Sequence, residues 1–382
     1  MGIMFSPIQV LSDIWPIALI AYGISVVLTP IVRFLAYRYK IVDRPDDLLK
    51  PHGRPVAYLG GVAICVGYLA SVIIGMMWYP RLRLLGGVIC ASTIVIVLTG
   101  LLDDLKGLKP REKVLGQVIA AGILFIGLCA IGIHLSAARM FEIIFHFSIP
   151  NWIAIILSGG LTVIIVIATC NATNLLDGLD GLCGGVTGII SIGFAGLMIY
   201  LACYGHHAEG GLDKFRVILC LAMAGAVLGF LHYNVPPASI FLGDTGSMLL
   251  GFFVATMMML FTLEGTARWF LAACVIFGLP IIDTGLAVMR RLSARVSIFA
   301  GDRSHLYDQL VDRGMSVKRV VGLFYFLALL AAGLGFLQAI FLRGRYALLL
   351  DVGILILIGI IFAKKGMIHP QPRMRMRNLS KE

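Results

Sequence analysis

The chain has 382 residues, of which 59% are hydrophobic and only 13% charged, and its mean hydropathy is +0.96. Soluble domains carry about 25% charged residues, so the composition excludes a soluble globular protein and predicts an all-α polytopic membrane protein forming one domain over residues 1–382. The net charge of +11 would suit a nucleic-acid partner, but in a membrane protein such an excess is typical of basic cytoplasmic loops, so no nucleic acid is expected.

Eleven apolar stretches are each close to the about 20 residues that a membrane-spanning helix needs. In chain order they are Ile14–Tyr37, Ala57–Trp78, Leu84–Leu102, Val114–His134, Trp152–Cys170, Val186–Cys203, Phe215–Leu231, Ser247–Leu263, Trp269–Met289, Val320–Leu342 and Tyr346–Ala363. The ninth stretch contains Pro280 and Asp283, so we expect a kink or a break there. No Lys or Arg precedes the first stretch within Met1–Ser12, so no signal peptide is expected.

Lys and Arg are distributed unevenly between alternate loops. If the N-terminus lies outside, the inside segments hold 22 of these residues and the outside segments hold 8. This bias predicts an outside N-terminus, a cytoplasmic C-terminus and a basic cytoplasmic tail over residues 364–382. Every acidic or glycine-rich motif then falls on the cytoplasmic side, so any chemistry is expected at the inner surface of the membrane.

Asp103 and Asp104 directly follow the third apolar stretch. Two adjacent carboxylates repel one another, and desolvating them at a membrane boundary is costly. A divalent cation would relieve the repulsion; the alternative is a solvated helix end opposed by Lys106 and Lys109. Lys113 begins the next helix, where it either snorkels to the interface or binds a phosphate as a point charge.

The segment Asn171–Gly185 is polar and glycine-rich although apolar stretches flank it on both sides. Its side chains of metal-chelating type recur at every third residue: Asn171, Asn174, Asp177 and Asp180. On a helix, residues three apart share one face, and the intervening glycines allow close backbone approach. The alternative is a plain polar turn, but a turn does not need four such side chains in ten residues, so the pattern favours a site.

The segment Phe241-Leu-Gly-Asp-Thr-Gly246 precedes a helix that we expect from Ser247. A carboxylate at this place, Asp244, can cap the helix N-terminus. It can equally bind a metal ion while the backbone N–H groups remain available for phosphate. The residues alone leave both readings open.

The most basic cytoplasmic segment is Arg290–Arg319, and it contains His305. Arg303 and the arginines upstream of it predict a pyrophosphate-binding site, since guanidinium groups pair with phosphate oxygens in a bidentate manner. The alternative is a basic loop that contacts anionic lipid headgroups. In the first cytoplasmic loop, His52 and Arg54 form a weaker version of the same substrate-binding pattern.

Three further features of the sequence concern a buried carboxylate, the cysteines and nucleotide binding. A carboxylate in mid-membrane costs about 2.5–3.5 kcal/mol, so Asp283 should face the protein interior, either as a packing partner or as support for a site. The eight cysteines lie in or beside apolar stretches without a C-x-x-C pair, which is typical of small buried hydrophobic residues. No GxxxxGK[ST] segment occurs, which argues against a P-loop NTPase.

Taken together, the motifs resemble those of the polyprenyl-phosphate N-acetylhexosamine-1-phosphate transferase superfamily (glycosyltransferase family 4), especially its undecaprenyl-phosphate N-acetylglucosaminyl branch. The matching segments, spread over about residues 38–319, are Leu-Leu-Asp103-Asp104, Asn171-Ala-Thr-Asn174-Leu-Leu-Asp177-Gly-Leu-Asp180-Gly, Phe241-Leu-Gly-Asp244-Thr-Gly246 and Asp302-Arg303-Ser-His305. The resemblance implies transfer of N-acetylglucosamine 1-phosphate from a UDP-sugar to undecaprenyl phosphate, with release of UMP. It also implies a multi-pass protein of the inner membrane that serves cell-wall or lipopolysaccharide synthesis. A homodimer is the one assembly considered, and the sequence does not define the oligomeric state.

The resemblance assigns the metal and acceptor sides of the reaction as well. It implies Mg²⁺, with Mn²⁺ as the alternative ion, bound by Asp244 and Asn174. It implies that Asp103 and Asp104 orient or deprotonate the lipid phosphate. Asp177 is expected to be catalytic, in a role that the sequence does not define.

On the donor side, the resemblance implies that Asp180 and Phe241 hold the uracil, by a hydrogen bond and by ring contact. Lys113 matches a lysine that contacts phosphate. Arg303 and His305 match residues that contact the sugar diphosphate. Arg303 is expected to bind the substrate, and His305 is expected to be catalytic.

The chain also departs from the family pattern. Many relatives that use UDP-N-acetylglucosamine carry further histidines after the position of His305, where this chain has Tyr307 and Asp308, which leaves the exact UDP-HexNAc open. The run of histidines typical of the phospho-N-acetylmuramoyl-pentapeptide branch is absent, and the odd number of helices favours the N-acetylglucosamine branch. The rival from another class is a secondary transporter of an anionic metabolite. Transporters, however, place ionisable residues near the bilayer midplane, often in repeats.

Overall fold

A computed structural model describes residues 6–43, 55–132, 149–204, 211–262, 267–293 and 305–364. His52 and Arg303 lie outside these ranges, as does all of the basic tail beyond Lys364. The substrate-binding roles expected of His52 and Arg303 therefore stay predictions.

Thirteen α-helices account for most of the described residues. They are α1 (Pro7–Arg38), α2 (Gly60–Trp78), α3 (Arg83–Lys106), α4 (Pro110–Ala130), α5 (Asn151–Leu176), α6 (Leu182–Tyr204), α7 (Gly211–Asn234), α8 (Gly243–Phe261), α9 (Ala267–Ile276), α10 (Gly278–Ser293), α11 (Leu306–Asp312), α12 (Val317–Phe341) and α13 (Gly344–Lys364). Ten of these helices are long and apolar enough to cross a membrane, and α9 with α10 would make an eleventh, broken span. The prediction of an all-α, multi-pass membrane protein with about eleven spans is confirmed, while the orientation of its termini stays a prediction.

The ninth span is broken at the place where the sequence indicated a kink or a break. α9 ends at Ile276, α10 begins at Gly278, and the two helices meet at a bend of 71°. Pro280 lies in the first turn of α10, where its missing N–H costs no helical hydrogen bond. The chain therefore accommodates the proline by starting a new helix, and this helix carries Asp283.

Helix α8 lies at the centre of the fold. The apolar run predicted a helix from Ser247, but the helix begins at Gly243, so Asp244 belongs to its first turn. Almost all of its residues are buried, and it packs against α2, α3 and α5. The packing is close: a Cβ at Gly251 would lie 2.6 Å from a carbonyl oxygen of α5, and a Cβ at Gly100 of α3 would lie 2.6 Å from the carbonyl oxygen of Asp244. These contacts bring the ends of α3 and α5 beside Asp244.

Within the described residues, a short antiparallel hairpin interrupts the helical architecture; it is formed by β1 (Val42–Asp43) and β2 (Val56–Ala57). Ala57 also forms a β-bridge with Ile240, and the Phe241 N–H donates to the Ala57 carbonyl at 2.8 Å. The hairpin therefore ties the first loop to the segment that enters α8. Strands of two residues have no recognisable period in the sequence. Residues 42–56 were therefore expected to be a plain loop, and the helix expected from Ala57 begins at Gly60.

Candidate active site

Five of the predicted site residues meet at one end of the helix bundle. They are Asp103, Asp104, Lys113, Asn174 and Asp244. They come from the C-terminal ends of α3 and α5 and from the N-terminal ends of α4 and α8. Consecutive spans alternate in direction, which is why these four ends lie together although the residues are far apart in sequence.

The Asp244 carboxylate joins three of the four helices. Its Oδ2 accepts a hydrogen bond from Lys113 Nζ at 2.7 Å, and its Oδ1 accepts one from Asn174 Nδ2. Asn174 Nδ2 also donates to Ser247 Oγ at 3.0 Å, one turn further along α8. Charge-assisted hydrogen bonds of this kind are stronger than neutral ones, so Asp244 is held in one position by α4 and α5.

Asp104 caps α8 from a different helix. Its Oδ1 accepts the Asp244 N–H at 2.8 Å, and its Oδ2 accepts the Thr245 N–H at 3.0 Å and the Thr245 hydroxyl at 2.5 Å. The first N–H groups of a helix lack an intrahelical acceptor and carry partial positive charge, so a carboxylate satisfies them well. Asp104, and not Asp244 as one reading of the sequence had it, provides the cap, and this leaves the Asp244 side chain available for other partners.

Gly243 allows Asp104 to approach the helix. Its φ is +74°, and a Cβ at this position would lie 2.8 Å from Asp104 Oδ2. A residue other than glycine in this left-handed conformation costs about 1–2 kcal/mol. The clash with the capping carboxylate adds to that cost.

We expect Gly243→Ala to lower the melting temperature of the purified protein and to reduce its turnover by at least about tenfold, because the alanine displaces Asp104 from the cap. Gly353→Ala on α13 is the matched control, since a Cβ there would meet no described atom within 4 Å. Thermal unfolding by circular dichroism and product release measure the two effects. A wild-type melting temperature and wild-type turnover in Gly243→Ala would contradict the conclusion that Gly243 is needed for Asp104 to cap α8.

Asp103 has a different partner from its neighbour. Its Oδ2 forms an ion pair with Lys113 Nζ, and its Oδ1 accepts the Leu108 N–H at 2.6 Å. Lys113 therefore supplies the countercharge that the sequence suggested for Lys106 and Lys109. The adjacent carboxylates point to two different positive groups, the ammonium and the N-terminus of α8. Their mutual repulsion is relieved by the protein itself, so the pair does not by its charge alone require a metal ion.

The period of three in the 171–180 segment does not follow one helical face. Asn171 and Asn174 lie on α5, whereas Asp177 and Asp180 lie in the turn between α5 and α6. Asn171 Nδ2 donates to Gln117 Oε1 at 3.2 Å and so joins α5 to α4. Of the two amides, Asn171 therefore serves helix packing and Asn174 faces Asp244.

Asp177 and Asp180 follow α5 in this turn. Burial raises the pKa of Asp177 well above its usual range, and the negative charges of Asp244, Asp104 and Asp180 raise it further. The catalytic role expected of Asp177 stays a prediction. Asp180 Oδ2 accepts the Ala238 N–H at 2.9 Å, which attaches the turn to the segment that leads to α8.

Phe241 meets an aromatic residue for which the sequence carried no signal. The Tyr58 ring packs edge-on against it, with 5.8 Å between ring centroids. Burial raises the pKa of the Tyr58 hydroxyl, the charge of Asp43 and a hydrogen bond to it raise the pKa further, and smaller effects come from Asp104 and Asp244. Tyr58 is therefore within electrostatic reach of the acidic cluster. Only the pairing of β2 with the segment before α8 brings it there.

His305 is buried at the start of α11, with 2% of its surface exposed. Its Nδ1 lies 2.9 Å from Asp283 Oδ2, and the Leu306 N–H donates to Asp283 Oδ1 at 2.7 Å. A carboxylate only accepts, so Nδ1 carries the shared hydrogen and Nε2 is the nitrogen that can face a ligand. Asp283 points into the protein as expected, and of its two suggested roles the structure favours support of a site residue.

The oxygen-rich side chains around Asp244 suit a hard cation. Within the part of the chain that the structure describes, no three Asp, Glu, His or Cys side chains are grouped so that they could enclose a metal ion. Mg²⁺, however, is usually bound by one or two carboxylates together with substrate phosphates. Asp244 with Asn174 in contact fits that pattern, with the remaining ligands left to a phosphorylated substrate and water.

The chain is similar in sequence to one known protein family and to several curated proteins. The sequence pattern of "Glycosyl transferase family 4" matches residues 87–262. A "Probable undecaprenyl-phosphate N-acetylglucosaminyl 1-phosphate transferase" of Bacillus subtilis (strain 168) is 31% identical over 300 residues, covering 78% of this chain and 77% of the relative. A "Decaprenyl-phosphate N-acetylglucosaminephosphotransferase" of Mycobacterium tuberculosis (strain CDC 1551 / Oshkosh) is 29% identical over 351 residues, covering 86% and 83%. A "Phospho-N-acetylmuramoyl-pentapeptide-transferase" of Shouchella clausii (strain KSM-K16) is 30% identical over 339 residues, covering 84% and 95%.

Proposed function

Because the chain belongs to glycosyl transferase family 4, we propose that it transfers N-acetylglucosamine 1-phosphate from UDP-N-acetylglucosamine to undecaprenyl phosphate and releases UMP. The relatives named as N-acetylglucosamine phosphate transferases of undecaprenyl and decaprenyl phosphate support this reaction. One structural observation carries it: the ion-paired cluster around Asp244 lies at the ends of four spanning helices. There a membrane-bound phosphate and a water-soluble nucleotide sugar can both reach it.

In the proposed reaction, an oxygen of the lipid phosphate attacks the phosphorus that carries the sugar. The bond from this phosphorus to the oxygen bridging to the uridine phosphate breaks, and UMP leaves with that oxygen. The product is a lipid diphosphate sugar. Phosphoryl transfer of this kind needs positioning and charge neutralisation more than covalent chemistry by the protein.

On the acceptor side, Asp103 and Lys113 are the groups available to the lipid phosphate. Lys113 is a point charge that a phosphate oxygen can approach, and its position between Asp103 and Asp244 keeps it at the helix ends. Asp103 orients the acceptor and takes its proton when the phosphate arrives protonated. Asp104 already accepts three hydrogen bonds, so within this proposal it holds α8 and not the substrate.

On the donor side, Asp180 and Phe241 hold the uracil, and His305 contacts the sugar diphosphate through Nε2. Arg303 and His52 add binding groups from outside the described residues. Asp244 and Asn174 would hold Mg²⁺, or Mn²⁺, and the bound ion would supply charge neutralisation for the diphosphate.

The proposal is tested by UMP release from the purified protein with undecaprenyl phosphate and a panel of UDP-N-acetylglucosamine, UDP-N-acetylgalactosamine and UDP-N-acetylmuramoyl-pentapeptide. We expect UDP-N-acetylglucosamine to support turnover at least about tenfold faster than the others. EDTA should abolish the release, and added Mg²⁺ or Mn²⁺ should restore it. Thin-layer chromatography identifies the lipid product.

The same panel decides between this function and its alternatives. The alignment with the phospho-N-acetylmuramoyl-pentapeptide-transferase relative covers most of this chain. Turnover with the muramoyl substrate alone would therefore assign the chain to that branch. Absence of UMP release with every UDP-sugar, together with counterflow of an anionic metabolite in proteoliposomes, would favour a transporter. Release that is unaffected by EDTA would remove the metal from the proposal.

A further inference from the structure

The turn between α5 and α6 is held at both ends by tyrosine hydroxyls from distant helices. Tyr307 Oη of α11 donates to the Leu175 carbonyl at 2.9 Å, and Tyr325 Oη of α12 donates to the Gly181 carbonyl at 2.7 Å. The partners are 132 and 144 residues apart in sequence. Between the two hydrogen bonds lie both carboxylates of the turn.

Tyr307 holds the end of the turn next to Asn174. Carbonyls in the last turn of a helix lack an intrahelical donor, and Tyr307 supplies one to Leu175 in the last turn of α5. Its ring is buried, stacks on His305 at a centroid distance of 5.4 Å, and lies against Gly178, where a Cβ would come within 2.1 Å of its hydroxyl oxygen. The ring therefore has one position, and that position also supports His305.

Tyr325 holds the other end, next to Asp180. Its ring lies against Gly185 of α6, where a Cβ would come within 2.1 Å of Cζ. The Gly181 N–H donates to Asn234 Oδ1 at 3.0 Å, so the peptide groups of Gly181 are held from two sides. This fixes the residue that directly follows Asp180.

We propose that Tyr307 and Tyr325 are positioning residues that keep Asn174 at Asp244 and Asp180 at the Ala238 N–H. The inference rests on the proposed function, because it concerns what the turn presents to the metal and to the nucleotide. Each tyrosine holds a different end of the turn. Loss of the Tyr307 hydroxyl should therefore affect the metal side, and loss of the Tyr325 hydroxyl the nucleotide side.

The test compares Tyr307→Phe, Tyr325→Phe and the control Tyr200→Phe, whose ring packs on Tyr204 and Trp269 of α6 and α9. Tyr307→Phe should raise the Mg²⁺ concentration for half-maximal UMP release about tenfold and leave the KM for UDP-N-acetylglucosamine within about twofold. Tyr325→Phe should raise that KM about tenfold and leave the Mg²⁺ dependence within about twofold. Tyr200→Phe should change neither parameter.

Two binding measurements make the result independent of turnover. Electron paramagnetic resonance gives the affinity for Mn²⁺, and calorimetry gives the affinity for UMP. If the wild type releases no UMP with any UDP-sugar, the proposed function fails, yet weaker Mn²⁺ binding in Tyr307→Phe and weaker UMP binding in Tyr325→Phe would still support the positioning roles. No change in either variant, or the same change in both parameters for both variants, would overturn them. The positioning roles would also be overturned if the losses of Mn²⁺ and UMP affinity were simply proportional to the decrease in melting temperature of each variant.

Discussion

Replacing Asp244 by asparagine is expected to reduce UMP release by about 100- to 1,000-fold, while the protein keeps its helix content and its melting temperature falls by a few degrees at most. The amide has the shape of the carboxylate and can still accept one hydrogen bond, from either Lys113 or Asn174. It lacks the negative charge that pairs with Lys113 Nζ at 2.7 Å and that a divalent cation would need. The backbone N–H of residue 244 stays capped by Asp104, so the change is directed at the chemistry and not at the fold.

The comparison for this prediction is Asp351→Asn. Asp351 lies on α13 and accepts a hydrogen bond from Gln338 at 3.1 Å, away from the residues of the candidate site. Product release over a range of Mg²⁺ concentrations, with thermal unfolding of both variants, separates loss of chemistry from loss of structure. Wild-type turnover in Asp244→Asn would contradict the proposed role of Asp244 in metal binding.

Replacing Asp104 by asparagine is expected to lower both stability and activity. The amide keeps only one acceptor oxygen, so at least one of the N–H groups of Asp244 and Thr245 loses its partner at a buried helix end. An unsatisfied buried donor costs about 1–3 kcal/mol, which lowers the melting temperature by a few degrees. Turnover should fall about 100-fold, because the first turn of α8, which carries Asp244, is no longer held.

Asp103→Asn provides the contrast. Its amide oxygen can still accept the Leu108 N–H, and Lys113 keeps its ion pair with Asp244 when the pair with Asp103 is lost, so the loss of stability is small. We expect it to lose turnover and to keep the wild-type melting temperature. Equal melting temperatures for Asp103→Asn and Asp104→Asn would contradict the separate roles of these neighbours.

Much of the fold could be predicted from the sequence because a spanning helix is a local property. A run of about 20 apolar residues is needed wherever the helix crosses the membrane, and the break near Pro280 follows from one residue and its missing N–H. The start of α8 was placed too late because Gly243 and Asp244 carry no apolar signal. The β1–β2 hairpin was missed because it is too short to show a period.

The candidate site could be predicted as a set of residues but not as an arrangement. Asp103, Asp104, Asn174 and Asp244 were marked by carboxylates and amides at the ends of apolar runs. The sequence treated Asp103 and Asp104 as one pair and the 171–180 residues as one face. The structure separates both groups, since Asp104 caps α8 and α5 ends before Asp177.

The amino-acid sequence is enough to identify a multi-pass helical membrane protein, to place most of its polar motifs at the ends of the spans, and to connect these motifs with the family. The contacts of each polar group became known from the three-dimensional structure. The Asp104 cap joins residues 141 positions apart, and the tyrosine hydroxyls reach across 132 and 144. Hydropathy acts over a single helix and leaves a periodic trace. Contacts between side chains on different helices depend on packing, for which a local stretch of sequence has no signature.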